Sequence, residues 1–323
     1  MKKENIFYLK NIVDFYYPDE NRSAVDIQSI VNIIRMEIQN FSDDDFSEII
    51  ISCFIPDLYS GMGKREKLFT KLTELMVGEW WRRLGGNYNL PTKKSGTEDV
   101  ELIWNNISIV CDVKVFRLGR SQKAPNVKDF LKAFSVKHWI DNLYDKYRSK
   151  NITQKVIGGL VTYSSLHEWE SDSEVYAECT NPEIPVVMLP YEVLALLLKY
   201  KRNIKILDFL NLWNYTQNYV RTSRKKEDYW AYVNTFIWNL IGISADDYVR
   251  EIREYRESIL LAVNEYRKII QNSIDEDKKI ITERVNGYKS IEDLKQYCIN
   301  ELGKSKTETA NEYLRHIDDF RHY

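Results

Sequence analysis

The 323-residue chain predicts a mixed α/β protein, a small central sheet flanked by helices with a large helical C-terminal region. Three observations carry this reading. Leu68, Phe69, Leu72, Leu75, Met76 and Trp80 recur at three and four, the spacing of one helix face. Residues 100–104 and 107–116 alternate apolar and polar about Asn105-Asn106, the pattern of a hairpin. From about residue 225 the chain reads as helical to its end, most clearly over 248–271.

The elements follow in order. Residues 1–60 read as helical and acidic, with Asp43-Asp44-Asp45 as a cap or turn. Gly61-Met62-Gly63 punctuates, a helix covers 64–84, and Gly85-Gly86 ends it. After the hairpin a basic helix spans 127–147, with Phe130, Ala133, Phe134, Ile140, Leu143, Tyr144 and Tyr147 on one face. Strands at 155–163 and 185–189 and a helix at 190–200 come next. The expected organisation is an N-terminal helical segment (1–60), a core (61–200) and a helical C-terminal region (201–323), packed as one unit. The apolar run Ile259-Leu-Leu-Ala-Val263 suits either a subunit contact or the interior of one chain.

Composition narrows the function. Cys53, Cys111, Cys179 and Cys298 show no paired spacing, so reduced thiols are expected rather than a disulfide scaffold. His138, His167, His316 and His322 form no metal-ligand pattern, which argues against structural zinc. The N-terminus leads into no clean apolar stretch, and the longest apolar run, 186–198, is too short to span a bilayer. A soluble cytoplasmic protein with no membrane partner is expected. The net charge of −2 is a poor match for binding a polyanion, but charge is uneven. Eleven Lys or Arg face three acids (Asp129, Asp141, Asp145) between Val113 and Lys155.

That basic stretch follows the residues that carry the chemistry. With Asn105-Asn106 as the turn, Trp104 faces Ile107, Leu102 faces Ile109 and Val100 faces Cys111, and Val113 and Val115 continue this apolar face. The other face is polar. It sets Asp99 opposite Asp112, with Glu101 and Lys114 beside them. Opposed carboxylates repel unless a small hard cation sits between them. Mg2+ is expected, with Mn2+ as a substitute and the carbonyl of Val113 as a further ligand. A lysine two residues beyond Asp112 suits phosphodiester hydrolysis, in which the metal polarises the phosphoryl oxygen and the lysine orients water or stabilises charge. Glu98 would fall on the apolar face, so Asp99 is the better ligand. Another carboxylate could come from the preceding helix, Glu66 or Glu79, although a salt bridge or a helix-dipole role is the favoured reading for either.

The run from Asp112 to Arg120, Asp-Val-Lys-Val-Phe-Arg-Leu-Gly-Arg, closely resembles the Asp-Ala-Lys-x-Phe-Arg-Leu-x-Arg core of HindIII-type restriction endonucleases. Glu66-Lys-Leu-Phe-Thr-Lys71, Lys128-Asp-Phe130 followed by Trp139, Tyr191-Glu-Val-Leu-Ala-Leu-Leu-Leu198 and Leu210-Asn-Leu-Trp-Asn214 resemble other parts of that family in the same order. The resemblance implies the PD-(D/E)xK nuclease fold, a homodimer, Mg2+ and double-strand DNA cleavage at a short palindrome, with a cognate methyltransferase in the same system. It carries Asp99, Asp112 and Lys114 over as catalytic residues. Arg117, Arg120, Gln122, Lys123, Asn126, Lys128, Asp129 and Lys132 are the expected DNA contacts, several with side chains suited to base edges. The chain departs from the family at Glu98, where the family has glycine, over 120–128, and at Leu131, where the family has lysine. The last two departures bear on sequence specificity. Alternatives are a repair or junction-cleaving nuclease of the same fold, or a non-catalytic DNA-binding protein built on it.

Overall fold

The structure is a computed structural model and describes residues 1–18, 25–91, 98–118, 133–164, 186–214, 225–286 and 292–319. The N-terminal helices are α1 (Lys3–Ile6), α2 (Tyr8–Tyr16), α3 (Ile27–Ile38) and α4 (Asp43–Ile51). Ser42 rather than the Asp run caps α4; its side chain accepts from the Asp45 N–H, and the three aspartates form the first turn. Helix α5 (Gly63–Arg83) lies within a residue of its predicted bounds.

A five-stranded sheet follows, in the order β1 (Asn87–Asn89), β2 (Val100–Trp104), β3 (Ile107–Lys114), β4 (Lys155–Tyr163), β5 (Val186–Pro190). The first three strands are antiparallel, and β4 and β5 run parallel to β3. Helix α6 (Ala133–Ser149) crosses between β3 and β4; the start of the predicted basic helix lies outside the described residues. Beyond β5 come α7 (Tyr191–Lys199), α8 (Ile206–Leu210), α9 (Lys225–Ile241), the 42-residue α10 (Ala245–Asn286) and α11 (Glu292–Asp319).

The hairpin has the predicted register, with Val100, Leu102 and Trp104 opposite Cys111, Ile109 and Ile107. Asn105 supplies the left-handed turn residue at φ 50°. The apolar face joins one core cluster that reaches from Ile6 to Ile317. The second face is not the open polar surface the alternation suggests. Helix α6 covers it: Val110 packs with Leu143 and Tyr147. A Cβ at Gly159 would lie 2.5 Å from Val136, so helix and sheet meet closely. Glu101 is buried there and fully engaged. It accepts from Asn89 Nδ2 at 3.0 Å and Ser108 Oγ at 2.9 Å, and from the Tyr147 hydroxyl. Of the run proposed as a possible subunit contact, Ile259, Ala262 and Val263 point into the chain's own core, and Leu261 is exposed.

Candidate functional site

The carboxyl end of β3 assembles the predicted residues. The β2–β3 ladder stops at Val100 and Cys111, so Asp99 is not a ladder partner of Asp112 as the alternation implies. Asp99 instead lies in a bend just before β2. Its own N–H donates to the Cys111 carbonyl at 3.1 Å, and its Oδ2 accepts the N–H of Val113 at 2.9 Å. The side chain takes the hydrogen bond that a backbone carbonyl would take if the ladder continued. It thereby holds its carboxylate against the β3 backbone, beside Asp112.

Asp112 is 2% exposed. Its Oδ1 is 2.8 Å from Lys114 Nζ, while Oδ2 is buried with no hydrogen-bond partner among the described residues. Burial, reinforced by the neighbouring Asp99 and opposed by Lys114, pushes the Asp112 carboxyl up to about 7. An unsatisfied, desolvated carboxylate oxygen is costly unless a cation or proton meets it. The donor set is all oxygen, which suits Mg2+ or Mn2+ rather than zinc. Among the described residues, no group of three or more His, Cys, Asp or Glu side chains is arranged to hold a metal, so a resident ion would draw on backbone and water oxygens as well. The Lys114 carbonyl is fixed from behind by the Tyr191 hydroxyl at 3.0 Å, which anchors the end of β3 to α7.

The preceding helix offers a carboxylate that sequence reasoning did not select. Glu66 is paired with Arg117, and Glu79, 0% exposed, is gripped by Arg82 at 2.6 Å and Arg83 at 3.3 Å. Glu74 is the one whose ionisation is opposed by the site. Burial and then Asp99 push it up to about 8, with Asp112 adding, against its ion pair to Lys71 at 2.5 Å. Three carboxyl groups thus share one desolvated neighbourhood with two lysines.

The model of the HindIII restriction endonuclease family matches residues 21–295, most of the chain and all of this site. The chain belongs to the HindIII restriction endonuclease family. Membership makes it a DNA-binding, DNA-cleaving hydrolase with the mixed α/β fold described above, of a family that generally uses a divalent metal. No curated protein matches the chain.

Within this restriction-endonuclease frame, Asp99, Asp112 and Lys114 come together, and Val113 is bound to the first of them through its N–H. Arg117 lies at the exit of the strand, where its guanidinium meets Glu66 and, at 3.4 Å, Ser60 Oγ. Arg120, Gln122, Lys123, Asn126, Lys128, Asp129 and Lys132 lie outside the described residues. No helix among the described residues is long and apolar enough to cross a membrane.

Proposed function

We propose that the protein is a type II restriction endonuclease that hydrolyses double-stranded DNA at a short palindromic site with Mg2+, or Mn2+ in its place. The observation that carries this reading is the buried Oδ2 of Asp112, without a hydrogen-bond partner among the described residues, next to Asp99 and Lys114, in a chain of this family. Asp99, Asp112 and the Val113 carbonyl would hold the ion, with Glu74 in support. A bound divalent ion would supply Lewis acidity toward the phosphoryl oxygen and lower the pKa of a bound water.

The residues of the chain do the rest. Asp99 binds the Val113 N–H and so holds the β3 backbone at Val113, the residue whose carbonyl would be the further ligand. Lys114, 23% exposed, reaches solvent, and there it can orient the attacking water and offset the charge that builds on the phosphate. Its pairing with Asp112 at 2.8 Å keeps it aimed until substrate arrives. The 120–129 segment, which follows Lys114 closely in sequence, reads the bases. A homodimer places one site on each strand of the palindrome. The enzyme is read as cytoplasmic, paired with a methyltransferase of the same specificity.

Digestion of unmethylated plasmid and of branched DNA tests this reading. Discrete plasmid fragments in Mg2+ are expected. Preferential nicking of the branched substrate would transfer the reading to a repair nuclease, and tight binding without cleavage in either metal would transfer it to a non-catalytic DNA-binding protein.

A further inference from the structure

A second pocket opens near the same end of the sheet, and the proposed chemistry does not use it. Its cavity of about 430 Å³ lies between the ends of β4 and β5, the start of α7, and helices α9 and α10. Such a volume suits a ligand of nucleotide size. Tyr163 and Pro190 line its sheet side. Tyr163 is the β4 partner of Lys114, and Pro190 is the β5 partner of Tyr163. With strands about 4.8 Å apart, the sheet side of the pocket lies one and two strand spacings from Lys114, roughly 5 to 10 Å. That is within about three base steps along one DNA strand.

The lining is chemically mixed in a particular way. Trp230 and Tyr248 contribute aromatic rings, and the Tyr248 hydroxyl donates to Asn234 Oδ1 at 2.8 Å. Glu192 is 2% exposed, with its Oε1 3.7 Å from Arg256 Nε. Arg253, one turn earlier on α10, is exposed and forms no ion pair among the described residues. Aromatic faces accept a base by stacking, an amide and a buried carboxylate can read its edge, and an arginine at the rim accepts a phosphate. A simple backbone contact would need only the arginine, with no cavity behind it.

We propose that this pocket is a nucleotide subsite. It takes one unpaired nucleotide unit of a DNA strand bound at the active site, with the base against Trp230 and the phosphate at Arg253. The link to substrate DNA rests on the nuclease reading above, whereas occupancy by a nucleotide does not.

The test uses the full-length protein labelled with 5-fluorotryptophan, with the Trp230 resonance assigned through Trp230→Phe. Titration with deoxyadenosine monophosphate should shift that resonance saturably at millimolar concentrations, and inorganic phosphate should not. Arg253→Ala should weaken this binding roughly ten-fold and raise KM for plasmid cleavage, with the unfolding midpoint unchanged. If the protein cuts plasmid but the monophosphate leaves the resonance in place, the subsite is wrong and the nuclease reading survives. If the monophosphate binds and no DNA is cut in Mg2+ or Mn2+, the pocket stands and the nuclease reading fails. A shift reproduced by inorganic phosphate, or one that Arg253→Ala leaves unweakened, also overturns the proposal.

Discussion

Replacing Asp112 with asparagine should abolish cleavage and at the same time stabilise the metal-free protein at alkaline pH. The carboxyl ionises near 7 rather than at its ordinary 3.8 because it is buried beside Asp99. A group whose folded pKa lies above its unfolded value binds its proton more tightly in the fold. The stability it contributes is therefore full below about pH 4 and lost as pH rises through 7. With the side chain almost wholly shielded from water, the ionised form costs the fold on the order of 4 kcal/mol at pH 8 relative to the neutral one. Asparagine keeps the shape and removes the charge, and because the value of about 7 already includes the ion pair with Lys114, up to about 4 kcal/mol remains in favour of the variant. Urea denaturation in EDTA at pH 8 and pH 4.5 measures this directly. The variant should be the more stable at pH 8, and the difference should shrink toward zero at pH 4.5. Added Mg2+ should close the gap at pH 8 by stabilising the wild type alone. A variant less stable than wild type at pH 8, or a difference independent of pH, would refute the reasoning.

Other consequences are more direct. Asp99→Asn and Lys114→Ala should each reduce cleavage by roughly 100-fold or more while leaving the thermal unfolding profile cooperative; near-normal turnover in either would remove that residue from the site. Glu74→Gln should weaken Mg2+ binding, read by calorimetry, whereas Glu79→Gln should leave metal affinity intact and destabilise the fold by about 3 kcal/mol, because Arg82 and Arg83 lose a buried partner. Ca2+ should support DNA binding without cutting, since it prefers more ligands at longer distances, and full activity in EDTA would contradict the metal chemistry. Asn126→Ala or Asp129→Ala should cost about 1–3 kcal/mol of cognate binding and spare non-specific binding if the 120–129 segment reads bases; equal loss on all sequences would confine that segment to phosphate contacts.

The hairpin was the most legible part of the chain. Strand periodicity is two, so one turn at Asn105-Asn106 fixes every pair, and three of them follow the expected register. The pair that matters most, Asp99 with Asp112, lies one step past the last ladder pair, where the Asp99 side chain replaces the backbone as hydrogen-bond acceptor; alternation carries no signal for that substitution. Glu74 was hidden for a different reason. Every residue of α5 from Leu72 to Trp81 is buried, so no polar stripe marks which carboxylate faces the site. Similarly, Glu101 reads as a solvent-facing charge until Tyr147, far along the chain, closes over it. Strand β1 was missed because Asn87-Tyr88-Asn89 has little strand propensity and exists only through its pairing with β2.

The central claim is that Asp112, with Asp99 and Lys114, cuts both strands of DNA at a defined sequence. Sequencing the ends produced by wild-type protein from a known unmethylated DNA in Mg2+, beside an Asp112→Asn control, tests it most directly. The account predicts that all wild-type ends share one short palindrome, with two-fold related cut positions on the two strands, and that the control yields none. Ends scattered without a common sequence, or equal cutting by Asp112→Asn, would contradict it.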